Sequence, residues 1–554
     1  MLITFISWIW IAFSSFLWGF AFLELLNSRC KYKTKNFFVV VIYGLVLLTA
    51  YAQYFSLFYK VSLAANIVLV IADAAIVICK KESLREYFRI DPAKQYSYIF
   101  SGLIVLFIGF ITLKISSSPV IHYDSALYHE QAIHWIEDYG VVKGLGNLHT
   151  RLAYNSSLFS LQALFSLKFL FGQSLHNING FYGFLLLSYS LLSMKVLKGK
   201  RTYPSDFLRI CMFYNYYKNY PVLSSPETDT ASLGLYIFII CEWLSLLEEN
   251  VNEVEPYANI CLLCLHNISM KVSVGMVVLL VIKPAIMLIQ EKRTKDIIRY
   301  LLLGIGIIAP FLIRNIIISG YLLYPFPKID LFNVDWKMNK AVAEYDKNEI
   351  KVWGWKDDGG IPVDDADLPL NKWYPIWAVN NLTTSKRRLR FYGSLISMAL
   401  LLLFDSFNFI KTKKHDHLVV SVTLTACFLL WFFGSPNYRY GRMIFIAPLM
   451  LCLGRIISYL LNKIKFAYLA TFAVIVYYCA VHLYPLMQFD LDDSFLCTPA
   501  DYNIIEVGEY SVNGITFYYP IDSDQAGYYA FPSSPVPEPY LIMRGQTLSE
   551  GFNP

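Results

Sequence analysis

The sequence predicts an all-α membrane protein with many spans, and three observations carry that prediction. The chain has 554 residues, of which 56% are hydrophobic and only 16% are charged. Apolar runs of about 17–25 residues, the length needed to cross a bilayer, recur along nearly its whole length. No alternation of the kind that marks soluble domains with polar surfaces appears before residue 318.

Fourteen apolar runs are predicted to be transmembrane helices. They lie at residues 2–26, 37–57, 61–79, 97–116, 178–197, 205–222, 230–248, 257–270, 272–289, 298–317, 391–410, 417–434, 441–460 and 467–486. The first run lacks a basic start and a small-residue cleavage site, so we expect a retained span rather than a cleaved signal peptide. The runs at 257–270 and 272–289 are so close that one bent segment, and thirteen spans, remains open.

The distribution of Lys and Arg orients these spans. Short basic connectors, such as 195–201 and 411–414, are cytoplasmic by the positive-inside rule, which leaves both termini outside. The connector 249–255 is acidic yet falls on the same side, which the rule tolerates because acids contribute little. To keep this alternation of sides, the apolar residues 157–172 must form a re-entrant or interfacial helix. The polar segments predicted to share the outer face are 117–156, 225–229, 318–390, 435–442 and the tail 487–554.

A carboxylate-bearing segment, His122–Glu130, directly follows the span at 97–116. Asp124 and Tyr128 fall on one stripe of a short interfacial helix. Asp124 is predicted either to cap that helix or to be the catalytic base of a membrane enzyme, because ionisable groups at membrane depth are costly and usually functional. Both interpretations stay open.

Two groups of metal-ligating residue types lie in the outer segments. The first combines Glu130 with four of the nine histidines: His122, His129, His134 and His149. Its spacing matches no specific metal motif, so scattered interfacial histidines are favoured. The second is an acidic run that could bind Ca²⁺ or Mg²⁺, although a solvated turn is favoured: Asp357, Asp358, Asp364, Asp365 and Asp367. No cofactor is therefore required, and a divalent cation is left open.

Charged residues also mark the mouths of other predicted spans. Glu227 and Asp229 precede an apolar run, which is typical of an ordinary helix N-terminus, and they equally fit a second carboxylate that orients an acceptor or holds a cation. Arg439 and Arg442 are predicted either to anchor the interface or to clamp a lipid-linked phosphate. Arg314 ends the span 298–317 on the outer side, against the positive-inside pattern, and carries more functional weight for that reason.

The remaining outer features are aromatic residues and the tail. Trp353, Trp355, Trp373 and Trp377 fit sugar stacking or interfacial anchoring. The tail alternates at Ile515–Tyr519 and is predicted to be a small β-containing cap, too small for an independent enzyme. There is no glycine-rich nucleotide loop, so neither ATP-driven transport nor a nucleotide-sugar donor is supported, and no nucleic-acid partner is expected. The cysteines show no paired spacing on the outer face.

Three stretches resemble segments of GT-C membrane glycosyltransferases. They are Tyr123-Asp124-Ser125-Ala126-Leu127-Tyr128-His129, similar to the first outer loop that carries the catalytic aspartate; Arg314-Asn315 with Ser319-Gly320-Tyr321 and Tyr324-Pro325; and Phe433-Gly434-Ser435-Pro436 with Arg439-Tyr440-Gly441. The chain looks closest to an uncharacterised group of bacterial multi-spanning proteins from surface-polysaccharide systems. The resemblance covers most of residues 97–486. Three extra spans precede the span 97–116 that leads into the first of these loops, whereas GT-C enzymes have a single span before it, and no Asp-x-Asp metal motif is matched.

The resemblance implies an inverting glycosyltransferase that acts at the outer face of the bacterial cytoplasmic membrane. It would move a sugar from a polyprenyl-phosphate donor to a surface glycan or lipid acceptor, with Asp124 as general base. The leaving phosphate would be stabilised by Arg439, Arg442 or Arg314. The residues implied to line the substrate are His122, Tyr123, Tyr128 and His129.

The implied organisation has three parts and leaves two other functions open. Extra helices at 1–96 precede a GT-C-like core at 97–486, and the tail at 487–554 faces the exterior. A surface-polysaccharide polymerase would also join lipid-linked glycans and would depend more on outer arginines. A polysaccharide or lipid transporter predicts charges buried in mid-span, and the sequence places almost none there.

Overall fold

The computed structural model describes residues 1–28, 30–89, 95–356 and 360–554, and it confirms an all-α polytopic architecture. In chain order the helices are α1 (Leu2–Leu26), α2 (Phe37–Ser56), α3 (Leu63–Cys79), α4 (Lys81–Tyr87), α5 (Gln95–Ser116), α6 (Glu130–Asp138), α7 (Ser157–Phe165), α8 (Lys168–Phe171), α9 (Ile178–Leu192), α10 (Val196–Gly199), α11 (Pro204–Asn219), α12 (Asp229–Glu248), α13 (Val254–Met270), α14 (Ile282–Gln290), α15 (Thr294–Ser319), α16 (Lys340–Trp355), α17 (Leu370–Asn381), α18 (Ser385–Thr412), α19 (Asp416–Gly434), α20 (Tyr438–Leu461) and α21 (Ala467–Met487). The chain also contains a π-helix at Ser125–His129 and a 3₁₀ helix at Val272–Val281.

By length and composition, fewer of the described helices than the fourteen predicted are clear candidates for membrane spans. Among the described residues, eleven helices are long and apolar enough, and a twelfth is obtained if α3 and α4, bent by 79°, count as one span. The predicted spans 205–222 and 257–270 correspond to α11 and α13, which have only 16 and 17 residues. At 1.5 Å per residue they are about 24 and 26 Å long, at the lower limit for helices that cross a hydrocarbon core of about 30 Å. The segment 157–172 is also short, as predicted, because α7 has 9 residues and α8 has 4.

Helix α12 lies at the centre of the bundle. Nearly all of its side chains are buried, and it packs against α9, α11, α13, α20 and the 3₁₀ helix that follows α13. The outward faces of α5, α18 and α21 instead expose large apolar side chains such as Leu106, Phe404 and Tyr477. A soluble protein rarely exposes so much apolar surface, so these faces are the lipid-facing ones.

Helices α1 and α2 approach each other through two glycines. A Cβ atom at Gly44 would overlap the backbone of Ser15, and one at Gly19 would overlap the backbone oxygen of Val40. Small residues at such crossings allow the close backbone approach on which helix packing in membranes depends.

Gly44→Val is therefore expected to destabilise the bundle by at least about 1–3 kcal/mol, the usual cost of overpacking. Gly102→Val on α5 is the matched control, because a Cβ there meets no atom within 4 Å. Thermal unfolding midpoints of the two variants in detergent check this. Equal midpoints would show that the α1–α2 approach has no role in stability.

The two ends of the bundle differ in charge. The basic connectors gather at one end, where Lys195 pairs with Glu248 and Glu249 at 3.4 and 2.7 Å, and Arg293 pairs with Glu255 at 2.5 Å. The acidic connector 249–255 therefore lies at the same end as the basic ones, as the sequence predicts. The other end, called the loop end below, is formed by residues 117–156, 225–229, 318–390, 435–442 and 487–554.

The loop end holds together through contacts between segments far apart in sequence. Ser225 Oγ accepts hydrogen bonds from the backbone N–H groups of Ile121 and His122, both at 3.1 Å. In the 318–390 loop, Asn381 accepts from the N–H of Tyr438 at 3.2 Å and so fixes the start of α20. The five outer segments predicted from the sequence thus meet at one end.

The tail begins and ends at the loop end. It contains the antiparallel hairpin β1 (Val507–Val512) and β2 (Ile515–Pro520), so the predicted β content is present. The two turn residues, Asn513 and Gly514, both have positive φ, the geometry of a type I′ hairpin turn.

Tail residues 523–531, called the strap below, lie against the first outer loop. Gln131 Nε2 donates to the carbonyl oxygens of Gly527 and Ala530 at 2.6 and 2.9 Å, and the His134 ring stacks on Phe531 with centroids 3.9 Å apart. The strap is thus fastened to the segment that carries Asp124.

Candidate functional site

Four charged side chains meet at the loop end around the start of α12. Asp229 is the first residue of α12. Lys271 lies between α13 and the 3₁₀ helix Val272–Val281, and Arg439 lies in the first turn of α20, both neighbours of α12. Asp124 comes from the first outer loop. Asp124, Asp229, Lys271 and Arg439 are called the charged cluster below.

Asp124 contacts an arginine rather than a helix terminus. Its position at the start of the π-helix Ser125–His129 is that of a cap, but its side chain makes no capping hydrogen bond. Instead it accepts a hydrogen bond from Arg439 Nη2 at 3.0 Å. The capping interpretation is therefore wrong for Asp124.

The protonation state of Asp124 follows from these surroundings. Burial raises the pKa of its carboxyl, but the attraction of Arg439 and other neighbouring cations outweighs burial, so the net pKa lies below its ordinary value. The carboxylate is ionised at neutral pH and able to accept a proton.

Asp229 lies between Arg439 and Lys271 and contacts both. Its Oδ2 lies 3.5 Å from Arg439 Nε, and its Oδ1 accepts directly from Lys271 Nζ. The Tyr440 ring lies beside both cations, with its centroid 4.3 Å from Lys271 Nζ and 4.9 Å from Arg439 Cζ. Positive and negative groups therefore alternate in the order Asp124, Arg439, Asp229, Lys271.

Lys271 is the residue of the cluster that the sequence analysis missed. Its side chain is 19% exposed, and burial, followed by repulsion from Arg439, lowers its pKa to about 7. A detectable signal was present, because a lone lysine sits in the one-residue gap between the apolar runs 257–270 and 272–289. On the predicted outer side it opposes the positive-inside pattern, as Arg314 does.

Arg442 extends the positive charge one helical turn further along α20. It is 5% exposed, and its Nη1 donates to Asn219 Oδ1 at 2.7 Å. Its Nε and Nη2 have no hydrogen-bond partner among the described residues, and neither does Nε of Arg439. Residues three apart share one helix face, so donors that lack a hydrogen bond converge beside the charged cluster. Buried donors of this kind are costly unless something binds them.

Glu227 has the ordinary role of a helix cap. It is 1% exposed and accepts from the backbone N–H groups of Asp229 and Thr230, the latter at 3.0 and 3.1 Å, and from Asn179 Nδ2 at 3.0 Å. Its carboxylate is therefore occupied in holding the start of α12. Of the two acids predicted here, only Asp229 forms ion pairs with Arg439 and Lys271.

The four residues predicted to line the substrate surround Asp124 unequally. His122 and His129 stack with ring centroids 5.7 Å apart, and burial lowers the pKa of both, so they are neutral at pH 7. Tyr128 packs against Tyr154 with centroids 5.8 Å apart. Tyr123 is 54% exposed and donates its hydroxyl to Asp524 of the strap.

Arg314 lies apart from the charged cluster. It is 2% exposed, and its guanidinium donates to Asn155 Oδ1 at 3.0 Å and to Ser56 Oγ at 2.5 Å. Within the described part of the chain no carboxylate pairs with it. Of the three predicted phosphate-binding arginines, the structure thus brings Arg439 into contact with Asp124 and leaves Arg442 one helical turn further along α20.

The predicted metal-ligating groups do not gather. In the described ranges the one set of His, Cys, Asp or Glu atoms close enough to share an ion is Cys30, Glu253 and Glu255, at the opposite end of the bundle. Burial raises the pKa of Glu130 to about 8, so this carboxyl is neutral at pH 7 and a poor ligand. Asp364 and Asp367 are exposed, and Asp357 and Asp358 lie outside the described residues.

The loop tryptophans pack inside the protein. Trp355 and Trp373 stack with centroids 5.3 Å apart, and Trp377 Nε1 donates to the carbonyl of Pro436 at 2.5 Å. All three are nearly inaccessible, whereas Trp353 is 43% exposed. Sugar stacking is therefore open to Trp353 alone among the four, and the others hold the 318–390 loop against the start of α20.

Comparison with known proteins gives one match. No curated protein and no solved structure matches this sequence. A family described as "Domain of unknown function (DUF8201)" matches residues 1–446, which include the whole charged cluster and Arg442 and leave the tail outside. The chain therefore belongs to the DUF8201 family.

Proposed function

We propose that this chain is a membrane glycosyltransferase of GT-C type, which moves a sugar from a polyprenyl-phosphate donor to a hydroxyl of a surface glycan or lipid acceptor. The observation that carries the proposal is the contact between Asp124 and Arg439 at a helix-bundle end where Arg439 and Arg442 also carry donors without a hydrogen bond to any described residue. A proton acceptor and an anion-binding group lie side by side there, as a transfer between a hydroxyl and a phosphate ester requires.

In the proposed reaction the acceptor oxygen attacks the anomeric carbon of the donor sugar. Its proton passes to the Asp124 carboxylate, while the bond between the anomeric carbon and the phosphate oxygen breaks. The bonding pair leaves with the lipid phosphate, whose growing negative charge is met by the guanidinium groups of Arg439 and Arg442. A single displacement inverts the anomeric configuration. Lipid phosphate and glycosylated acceptor are the products.

The electrostatics of the charged cluster suit this division of roles. Arg439 keeps Asp124 ionised and also weakens it as a base, because a nearby cation favours the charged form. A phosphate that engages Arg439 would draw positive charge away from Asp124 and make it more basic. The base would then be strongest when the donor is bound.

The test of the function is the mass profile of surface glycans. A deletion strain is compared with the same strain carrying the wild-type gene, and both are analysed for missing sugar units. Loss of one sugar on deletion and its return with the wild-type gene would support the transferase. A change in chain length alone would favour the polymerase, and an unchanged profile would contradict both.

We also propose that the loop end faces the exterior of a bacterial cytoplasmic membrane, because the basic connectors lie at the opposite end. The chain offers its own reporters, since Cys79 and Cys497 are its two exposed cysteines. Cys497 lies in the tail, and Cys79 ends α3 at the basic end.

A membrane-impermeant maleimide is expected to label Cys497 and not Cys79 in intact cells. Variants that keep only one of the two are compared by mass after labelling, and permeabilised cells, in which both react, are the control. Labelling of Cys79 alone in intact cells would reverse the orientation.

A further inference from the structure

The Asp229 carboxylate contacts two cations, one at each oxygen. Lys271 donates to one of its oxygens, and Arg439 Nε lies 3.5 Å from the other. Its side chain is 9% exposed, whereas that of Arg439 is 39% exposed. Asp229 therefore lies beneath the cations, on the protein side of the site.

The cations around Asp229 are held more firmly than a surface pair would be. Lys271 is fixed by the Tyr440 ring, and Arg439 by the hydroxyl of that tyrosine at 3.0 Å and by Asp124. Arg442 adds two buried donors that have no hydrogen-bond partner in the part of the chain that the structure describes. The charges of the three cations are matched by those of Asp124, Asp229 and the buried cap Glu227. A site built of three converging cations is shaped for an anion with several oxygens, such as a phosphate.

We propose that Asp229 is a resident anion that holds Lys271 and Arg439 in place for a phosphate ester, and that an arriving phosphate takes over both cations from it. The inference deepens the proposed function, and it rests on a phosphate-linked donor using this site. Without an oxygen acceptor at this position, the two buried cations would repel each other and lose their positions. With one, the cations are pre-arranged, and the phosphate must compete with Asp229 for them.

Because Asp229 competes with the phosphate for the cations, removing its charge is expected to strengthen phosphate binding rather than weaken it. Asp229→Asn keeps the shape of the side chain and an amide oxygen that can still accept from Lys271, so the cations stay in place. It removes the competing charge, so phosphate affinity should rise by about tenfold, the size of one charge-assisted hydrogen bond. A carboxylate that bound the substrate would show the opposite sign. Lys271→Met removes a phosphate-binding cation and should lower the affinity by about tenfold or more.

The pH dependence offers a second readout. The charged and titratable groups that face Lys271 are Asp229, Tyr440, Arg439, Asp124, Glu227, Arg442, His122 and His129. Burial first, and Arg439 next, lower the pKa of Lys271 to about 7 in the empty site. A phosphate binds the charged form better, so the contribution of Lys271 to affinity should be full below about pH 7 and be lost as the pH rises above it. A phosphate ester gains its own second negative charge near about pH 6, so this contribution is measured as the difference between the wild type and Lys271→Arg. Lys271→Arg stays charged and should lose this dependence.

The experiment measures binding to the purified full-length protein in detergent, by calorimetry, with three probes. Farnesyl phosphate carries both a lipid and a phosphate, inorganic phosphate carries no lipid, and farnesol carries no phosphate. The variants are Asp229→Asn, Lys271→Met and Lys271→Arg. Lys143→Met is the matched control, because Lys143 lies at the loop end over the Trp336 ring and outside the charged cluster. Size-exclusion profiles and thermal midpoints identify variants that do not fold.

The expected result is phosphate-dependent binding that tightens in Asp229→Asn, weakens in Lys271→Met and is unchanged in Lys143→Met. The same order of affinities with inorganic phosphate would support Asp229 as the resident anion, and it would show that the site recognises the phosphate without a lipid chain. Weaker binding in Asp229→Asn, wild-type affinity in Lys271→Met, or no phosphate binding by the wild type would each overturn the inference. The glycan profile is independent of this measurement, so failure of the transferase and failure of the resident anion are distinguishable.

Discussion

Replacing Asp124 with asparagine is expected to reduce sugar transfer by about 10²- to 10⁴-fold, the usual contribution of a general base. The amide keeps the size of the side chain and can still accept from Arg439, so the phosphate contacts remain while the proton acceptor is lost. The surface-glycan mass profile of a deletion strain carrying this variant checks the prediction, at membrane levels equal to the wild type.

Asp138→Asn is the matched control for Asp124. Asp138 lies in the same outer loop, its side chain is 39% exposed, and it pairs with His134 and Lys168 rather than with the charged cluster. Transfer in this variant should stay at the wild-type level. Complete rescue of the glycan by Asp124→Asn would remove Asp124 from the chemistry and leave it a structural partner of Arg439.

Asp206→Ala is expected to destabilise the protein by about 3–5 kcal/mol, because it leaves a buried guanidinium without its counter-charge. Asp206 and Arg209 form an ion pair of 2.7 Å near the start of α11, with side chains 0% and 1% exposed. Asp206 also accepts from the backbone N–H of Val196 at 2.9 Å and so fixes the connector before α11.

The free energy of unfolding of Asp206→Ala is measured in mixed detergent micelles. The control is a variant of a solvent-exposed ion pair. Lys340 and Glu344 lie 4.0 Å apart with side chains 61% and 49% exposed. Glu344→Ala should therefore cost less than about 1 kcal/mol. Similar losses in both variants would show that burial does not set the strength of the Asp206 pair.

The fold class could be predicted from composition, but the ends of the helices could not. Apolar runs report where a helix is compatible with lipid and say little about where it ends. The run 205–222 contains Pro221, which cannot continue a helix, and α11 stops at Asn219. Lys271 likewise ends α13 and separates it from the 3₁₀ helix. Helix ends depend on such local features, which hydropathy averages over.

Asp124 and Arg439 are 315 residues apart, and their place at the same end of the bundle could be predicted from the regular alternation of spans, whereas their direct contact could not. The roles of Glu227 and Asp229 could not be separated, since an acid at a helix start has the same pattern whether it caps the helix or faces a neighbour. The contacts of the two acids are set by residues far away in sequence, because Asn179 donates to Glu227 and Lys271 donates to Asp229. Tertiary contacts of this kind leave no local trace in a sequence.

The attachment of the strap to the first outer loop has a consequence for synthesis. Gln131 and Gly527 are 396 residues apart, so at about 5–20 residues per second the ribosome makes the strap roughly 20–80 s after the loop. During that interval the donors of Gln131 and the ring of His134 lack the partners that they have in the finished protein. Assembly of the loop end is therefore completed only after the last helix has been inserted, and a stalled or truncated chain would present this loop uncovered to quality-control proteases.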